Sequence, residues 1–304
     1  MDQRFSSRRR GEVAIFFCAV FWSTAGLFIK LVDWNPILIA GARSFFALFL
    51  LLPIRLLSSK PAKKPAPENQ AAGRLWARVF KSRFVIFGGL AYAATMIIFV
   101  IANKLTTSAN AVLLQYSAPV WAALLGWLIA REKPHWEHWG ALVLVFGGMV
   151  LFFKDSLGGG NIPGDILAVI SGISFGANSV FMRMNKQGNP MDSMILSHII
   201  TALFSIPFFF MYPPVFSMGA VFPVIFLGVI QVGIATVLFS FGIKSVTAVE
   251  SMLIAMVEPV LNPLWVFLVT GEKPSLSALA GGAIIVSAVI ASSIIGKRRE
   301  AGNL

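Results

Sequence analysis

The sequence predicts an all-α fold, a polytopic membrane protein of ten transmembrane helices in two inverted five-helix repeats, and three observations predict it. Charge is scarce: 57% of the 304 residues are hydrophobic, 12% are charged, and the mean hydropathy is +0.79. A soluble domain carries about 25% charged residues, and half that number does not cover a water-exposed surface. The apolar residues fall in blocks of about 20, the length that crosses a hydrocarbon core of about 30 Å at 1.5 Å per helical residue. Prolines and charges also recur at fixed offsets between the two halves of the chain.

Charges and Pro/Gly punctuation divide the apolar blocks into spans. In the first half these are approximately Glu12–Leu31, Pro36–Leu56, Phe84–Leu105, Thr107–Ala130 and Trp136–Phe153. The second half gives approximately Asp165–Met182, Pro190–Tyr212, Val221–Ile243, Thr247–Val269 and Ser275–Ile295. Arg8-Arg9-Arg10 ahead of the first block resembles the start of a signal peptide. The block is long, lacks a clear small-residue cleavage site and matches a later helix in register, so it is expected to stay in the mature protein. Only Thr106 separates the third block from the fourth. The stretch Leu57–Arg83, rich in Lys, Ala and Pro, reads as a solvated cytoplasmic linker.

Basic residues orient the spans. An even helix count puts both termini on one side, and that side carries twenty of the 25 Lys and Arg residues. The opposite side has Lys30, Lys104, Lys154 and Lys273, while Arg43 lies within a span. The positive-inside rule places both termini in the cytoplasm. The net charge of +12 therefore reports topology and contact with anionic lipid. Nucleic acid is not an expected partner, because the charges sit in short loops. The single cysteine, Cys18, excludes an internal disulfide and a Cys-cluster metal site.

The halves repeat. At an offset of 153, Trp22 faces Phe175, Ala25 faces Asn178 and Lys30 faces Arg183. At an offset of 140, Lys104 pairs with Lys244, Pro119 with Pro259, Glu132 with Glu272, Lys133 with Lys273 and Pro134 with Pro274. The repeats are expected over residues 11–153 and 164–295. Five helices per half is an odd number, so the second half should lie inverted relative to the first, a signature of secondary transporters.

Two stretches then carry a family resemblance. Gln115-Tyr116-Ser117-Ala118-Pro119 leads to Arg131-Glu132-Lys133, and Met256-Val257-Glu258-Pro259 leads to Gly271-Glu272-Lys273. With ten helices in two halves, this resembles the EamA family of the drug/metabolite transporter superfamily over nearly the whole chain. The first half departs from the second at its centre, with Ala118 where the second has Glu258. The resemblance implies a cell membrane location, the inner membrane of a bacterium. It also implies a centre lined by the first, third, fourth, sixth, eighth and ninth helices.

Glu258 is the sharpest functional candidate. It lies about 11 residues into the ninth span, roughly 16 Å deep. A carboxylate at that depth costs about 2.5–3.5 kcal/mol, so it should face a cavity or a partner. It could take up a proton, bind an ammonium group or hydrogen-bond backbone freed by Pro259. Pro119 and Pro259 lack N–H groups and leave the carbonyls of Gln115 and Ala255 without helical donors, which suits helix breaks at a gate. Trp22, Tyr92, Phe99, Phe175 and Phe239 are candidates for an aromatic lining, with Gln115, Asn178 and Gln231 as its polar contacts. Arg43 could contact an anionic group but reads first as a structural ion pair or a snorkelling side chain. His198 reads as a packing histidine ahead of a proton relay. His135-Trp136-Glu137-His138 is not a zinc motif, and Gly158-Gly159-Gly160 lacks the Lys-Ser/Thr of a phosphate loop.

The expected function is a secondary transporter of small organic metabolites, amino acids or amines among them, that exports by alternating access. Trp22, Tyr92, Gln115, Asn178, Gln231 and Glu258 would bind substrate, and Pro119 and Pro259 would gate. No cofactor is expected, with proton coupling through Glu258 as an option. Uptake by the same fold is the main rival. An intramembrane enzyme built on Glu258 and His198 lacks paired carboxylates, a nucleophile motif and a metal triad.

Overall fold

Hydrocarbon offers no water to backbone N–H and C=O groups, so a spanning chain must satisfy them within helices. The computed structural model describes residues 2–25, 28, 31–58, 82–106, 108–154, 161–185, 188–270 and 275–302, and its regular elements there are all helical. They are α1 (Asp2–Ser23), α2 (Pro36–Leu57), α3 (Arg83–Leu105), α4 (Ser108–Gln115), α5 (Ala118–Ala130), α6 (Trp136–Phe153) and α7 (Ile162–Met184). After these come α8 (Met191–Met211), α9 (Met218–Phe226), a π-helical segment π1 (Leu227–Ile234), α10 (Ala235–Gly242), α11 (Ala248–Ala255), α12 (Val257–Thr270) and α13 (Leu276–Gly302).

Seven stretches among the described residues are long and apolar enough to cross a membrane: Pro36–Leu57, Arg83–Ala102, Asn110–Ala130, Ile162–Met184, Met191–Met211, Met218–Gly242 and Leu276–Gly296. Of the ten expected spans, the first, fifth and ninth fall outside that set for identifiable reasons. Helix α1 ends at Ser23, so it carries Arg8, Arg9, Arg10 and Glu12 with only part of the apolar block expected to run to Leu31. Helix α6 is shorter than any of those seven stretches. The ninth span is cut at Met256 into α11 and α12. The expected linker falls mostly on residues 59–81, which lie outside the described residues, as do Lys30, the three glycines at 158–160 and Glu272-Lys273-Pro274.

The opening helix of each half packs against the other half. Helix α1 lies on π1, α10, α11 and α12, and α7 lies on α3, α4 and α5. Helix α2 packs on α8 and π1, α8 also packs on α3, α5 meets α11, and α6 pairs with α13. The main core joins Ile15, Cys18 and Trp22 of α1 to Tyr92, Phe175, Phe239, Met252 and Met256.

Ion pairs tie the helix ends. Arg8 Nη2 lies 2.5 Å from Glu250 Oε1, and Arg8 Nε lies 3.2 Å from Glu12. Glu250 also accepts the Thr247 N–H at 2.9 Å, closing a capping box at the start of α11, and His138 stands 3.8 Å away. Arg55 in the last turn of α2 clasps Asp192 in the first turn of α8, at 2.5 Å from Nε and 3.1 Å from Nη2. That placement also sets the cation at a helix C-terminus and the anion at a helix N-terminus, as their dipoles favour. Arg183 bonds Glu132 at 3.2 Å and the carbonyls of Ile243 and Lys244 at 3.3 and 2.6 Å.

Candidate functional site

Two helix interruptions build the site. Helix α4 ends at Gln115, the chain turns through Tyr116 and Ser117, and α5 begins at Ala118 with Pro119 in its first turn. Pro119 offers no N–H to the Gln115 carbonyl, which weakens the helix at that point, whereas a proline at the start of a new helix costs nothing. The same logic separates α11 from α12 at Met256, with Pro259 in the first turn of α12. These breaks place Tyr116 and Glu258 together, the phenol hydroxyl within hydrogen-bonding reach of the carboxylate. Helix α7 presses against the first break: a Cβ on Gly172 would stand 2.7 Å from both the Gln115 carbonyl oxygen and Ser117 Oγ.

Four of the five expected aromatics meet here. Trp22 packs on Phe175 at 5.8 Å and on Phe239 at 5.4 Å between ring centroids, and Tyr92 reaches Phe175 at 6.2 Å. Phe99 does not join them; it packs beside Ala102, Ala111 and Ala168. The amides divide similarly. Gln115 donates to Ser171 Oγ at 2.9 Å, and Ser171 donates to the Thr95 carbonyl, so Gln115 is held within the α3–α4–α7 seam. Asn178 is fully buried, with its Nδ2 3.9 Å from the Met194 sulfur and its Oδ1 without a partner. Gln231, on π1, donates to the Trp22 carbonyl at 3.4 Å and leaves its Oε1 without a partner. Single π turns within helices recur at functional sites, and this one turns Gln231 toward α1.

Arg43 and His198 complete the centre. His198 lies 3.3 Å from Ser44 Oγ and 3.5 Å from Thr236 Oγ1, with its ring edge-on to Tyr92 at 6.1 Å. It is a satisfied packing histidine. Arg43 does not match its expected ion pair: among the described residues no carboxylate lies within ion-pairing distance, and its buried Nε has no hydrogen-bond partner. Its backbone lies against Gly228 of π1, and the next residue, Ser44, bonds His198, so it sits on the inward side of α2. Tyr116 and Arg43 are the two residues that sequence reasoning undervalued. Tyr116 was legible only as part of the Gln-Tyr-Ser-Ala-Pro stretch, and Arg43 only as a lone charge within an apolar span. His135 and His138, expected in a loop, flank the start of α6, where His138 faces Glu250.

A separate apolar cleft of about 650 Å³ lies between α2, α8 and α9, walled by exposed side chains that include Phe45, Leu203 and Phe209; none of the site residues named above lines it.

Comparison with known proteins agrees with this architecture. The model of the EamA-like transporter family matches residues 9–154 and again residues 162–294. An uncharacterized transporter of Archaeoglobus fulgidus is 26% identical over 287 residues, covering 94% of this chain and 97% of that protein. The S-adenosylmethionine uptake transporter of Rickettsia prowazekii is 24% identical, over 83% of this chain and 81% of its own. A solved crystal structure shares the fold with a TM-score of 0.77 at 19% identity, covering 96% of this chain and 99% of the other.

Proposed function

The chain belongs to the EamA-like transporter family, and on that footing we propose that it is a secondary carrier that exports small organic metabolites bearing an amine by alternating access. The observation that carries this reading is the meeting of two interrupted helices at Glu258 and Tyr116, beside an aromatic wall and two open amide oxygens. The rings of Trp22, Phe175 and Phe239 would cover the apolar part of a solute while Glu258, Asn178 and Gln231 accept from its amine. Gln115 would act on substrate only through the α7 seam that it braces. Pro119 and Pro259 would let each interrupted helix swing at its break. Glu258 would also be the group that takes up a proton if transport is coupled to one, and no other cofactor is required.

The proposal includes ten crossings in two inverted repeats, 11–153 and 164–295, with both termini in the cytoplasm. The reciprocal packing of α1 on the second half and α7 on the first supports that symmetry, as does the charge bias across the spans. Reporter fusions after Lys154 and Tyr212 should read as outside the cytoplasm and fusions after Arg299 as inside; a cytoplasmic reading at Lys154 overturns the arrangement.

Purified protein in liposomes should move an amine-bearing solute saturably without ATP and accelerate its entry when counter-substrate is inside. Glu258→Gln should abolish that flux and its pH dependence while the protein still folds. The panel should hold amino acids, amines, vitamins and S-adenosylmethionine, and the absence of saturable flux for all of them from folded protein refutes the carrier reading. Uptake is the second reading, favoured by the names of the Rickettsia relatives. Accumulation of the identified solute by overexpressing cells, in place of its depletion, would select uptake.

A further inference from the structure

We propose that Arg43 is the anion-binding pole of the substrate site, so that the solute is a zwitterion whose carboxylate meets Arg43 while its ammonium meets Glu258. The inference rests on the carrier reading above and adds to it the group opposite the amine.

The first ground is the contrast among the buried and half-buried arginines. Arg8 is held by Glu12 and Glu250, Arg55 by both oxygens of Asp192, and Arg183 by Glu132 and two carbonyls. This chain supplies a carboxylate to each of them. Arg43 has none within reach among the described residues, and its Nε is buried without an acceptor. A guanidinium presents five N–H donors in a fixed fork. Keeping such a cation under-partnered inside a membrane protein is costly, so the arrangement points to an acceptor that arrives with the ligand.

Position supplies the second ground. Arg43 does not present its whole head to the outside: its Nε is buried, and the next residue, Ser44, lies 3.3 Å from His198 Nδ1. The backbone that carries it is fixed by π1: a Cβ on Gly228 would stand 2.9 Å from the Arg43 carbonyl oxygen and 3.4 Å from its Cα. Three residues further along π1 is Gln231, whose open Oε1 is one of the acceptors offered to the amine. One helical segment thus seats the anion pole and carries part of the cation pole. His198 is satisfied by Ser44 and Thr236 and does not compete for the carboxylate.

Stoichiometry is the third ground. Arg43 and Glu258 form no direct ion pair. A zwitterion inserted between them has one bidentate carboxylate for the fork and three ammonium donors for Glu258 and the open oxygens of Asn178 and Gln231. A simple amine would satisfy only the second set.

The experiment uses the full-length chain in liposomes and detergent, with matched solutes that differ only at the carboxylate: L-phenylalanine and L-methionine, their carboxamides, and the corresponding decarboxylated amines. Inhibition of counterflow and ligand-induced shifts in melting temperature are read for each. The expected result is at least tenfold tighter binding of the acids than of the amides and amines by the native chain. Arg43→Gln should bring acid and amide within twofold of each other, and Arg43→Lys should restore part of the difference. Equal binding of acid and amide by the native chain overturns the proposal while leaving the carrier reading intact, and this comparison stands even if Arg43→Gln does not fold. Retained discrimination in folded Arg43→Gln overturns it equally. If folded native protein moves no solute of any kind, the carrier reading falls, and the proposal with it.

Discussion

Arg55 and Arg43 stand on the same helix, twelve residues or roughly 18 Å apart, and differ in what faces them. At the helix end, Arg55 and Asp192 are both nearly inaccessible, with side-chain exposures of 7% and 5%, and they saturate each other through two bonds. At the centre, Arg43 retains an open donor, and Asn178 and Gln231 retain open acceptors. Buried polar groups are normally paired, and each exception asks for a reason. The comparison assigns different work to the two regions: the paired end fixes how α2 and α8 assemble, and the open centre keeps hydrogen-bonding capacity for something that comes and goes.

The largest effect should come from breaking the paired end. Asp192→Ala leaves Arg55 buried without its partner, and stranding one member of a buried pair costs about 3–5 kcal/mol. The measured outcome should be a marked drop in melting temperature in detergent. Replacing both residues by Leu should recover much of that loss, since the uncompensated charge goes with its partner.

Next in size is Gly172→Ala. Its new Cβ would fall 2.7 Å from the Gln115 carbonyl oxygen, a backbone atom at the α4–α5 break that has no flexible end to move aside. Overpacking of this kind costs about 1–3 kcal/mol. Gly147→Ala, where nothing lies within 4 Å, is the control and should leave the melting temperature unchanged. Equal behaviour of the two variants would mean that the seam between α7 and the break is looser than its geometry.

Tyr116→Phe sharpens the comparison from the other side. It removes the hydroxyl that reaches Glu258 and should lower stability by only about 0.5–1.5 kcal/mol, the net worth of one hydrogen bond. Flux in liposomes should fall far more than stability does. A large stability loss with normal flux would move Tyr116 into the structural class to which Arg55 belongs.

How much of this was legible in the sequence depends on whether a feature is local. The apolar blocks, the breaks at Pro119 and Pro259 and the depth of Glu258 follow from hydropathy, proline chemistry and rise per residue, so they can be read along the chain. Phe99 carried the right residue type on an expected lining helix, yet faces Ala102, Ala111 and Ala168, because helix type does not reveal which way a face turns. The π1 segment has no proline or charge to announce it, and its extra residue per turn is imposed by packing on α1 and α2. Arg8 read only as one of three arginines ahead of the first span, because its partner Glu250 lies 242 residues away. Arg43 read as an ion pair or a snorkelling side chain for the converse reason: only the fold reveals that no carboxylate among the described residues comes within ion-pairing distance.

The smallest effect is expected at the third arginine. Arg183 and Glu132 are partly open to solvent, with side-chain exposures of 22% and 25%, and their separation of 3.2 Å is ordinary. Partly solvated pairs contribute about 0–1 kcal/mol. Arg183 also has acceptors that do not depend on Glu132, the carbonyls of Ile243 and Lys244 after α10. Glu132→Gln therefore strands nothing: the arginine keeps two bonds, and water reaches what is left. Its melting temperature should stay close to that of the native chain, in clear separation from Asp192→Ala. Glu132→Ala, which truncates the carboxylate as Asp192→Ala does, should be nearly as mild, and in that matched pair burial and remaining acceptors are the variables that differ. If Glu132→Gln proved as damaging as Asp192→Ala, stability at this end of the bundle would follow the number of ion pairs, and the open state of Arg43 would lose its significance as an exception.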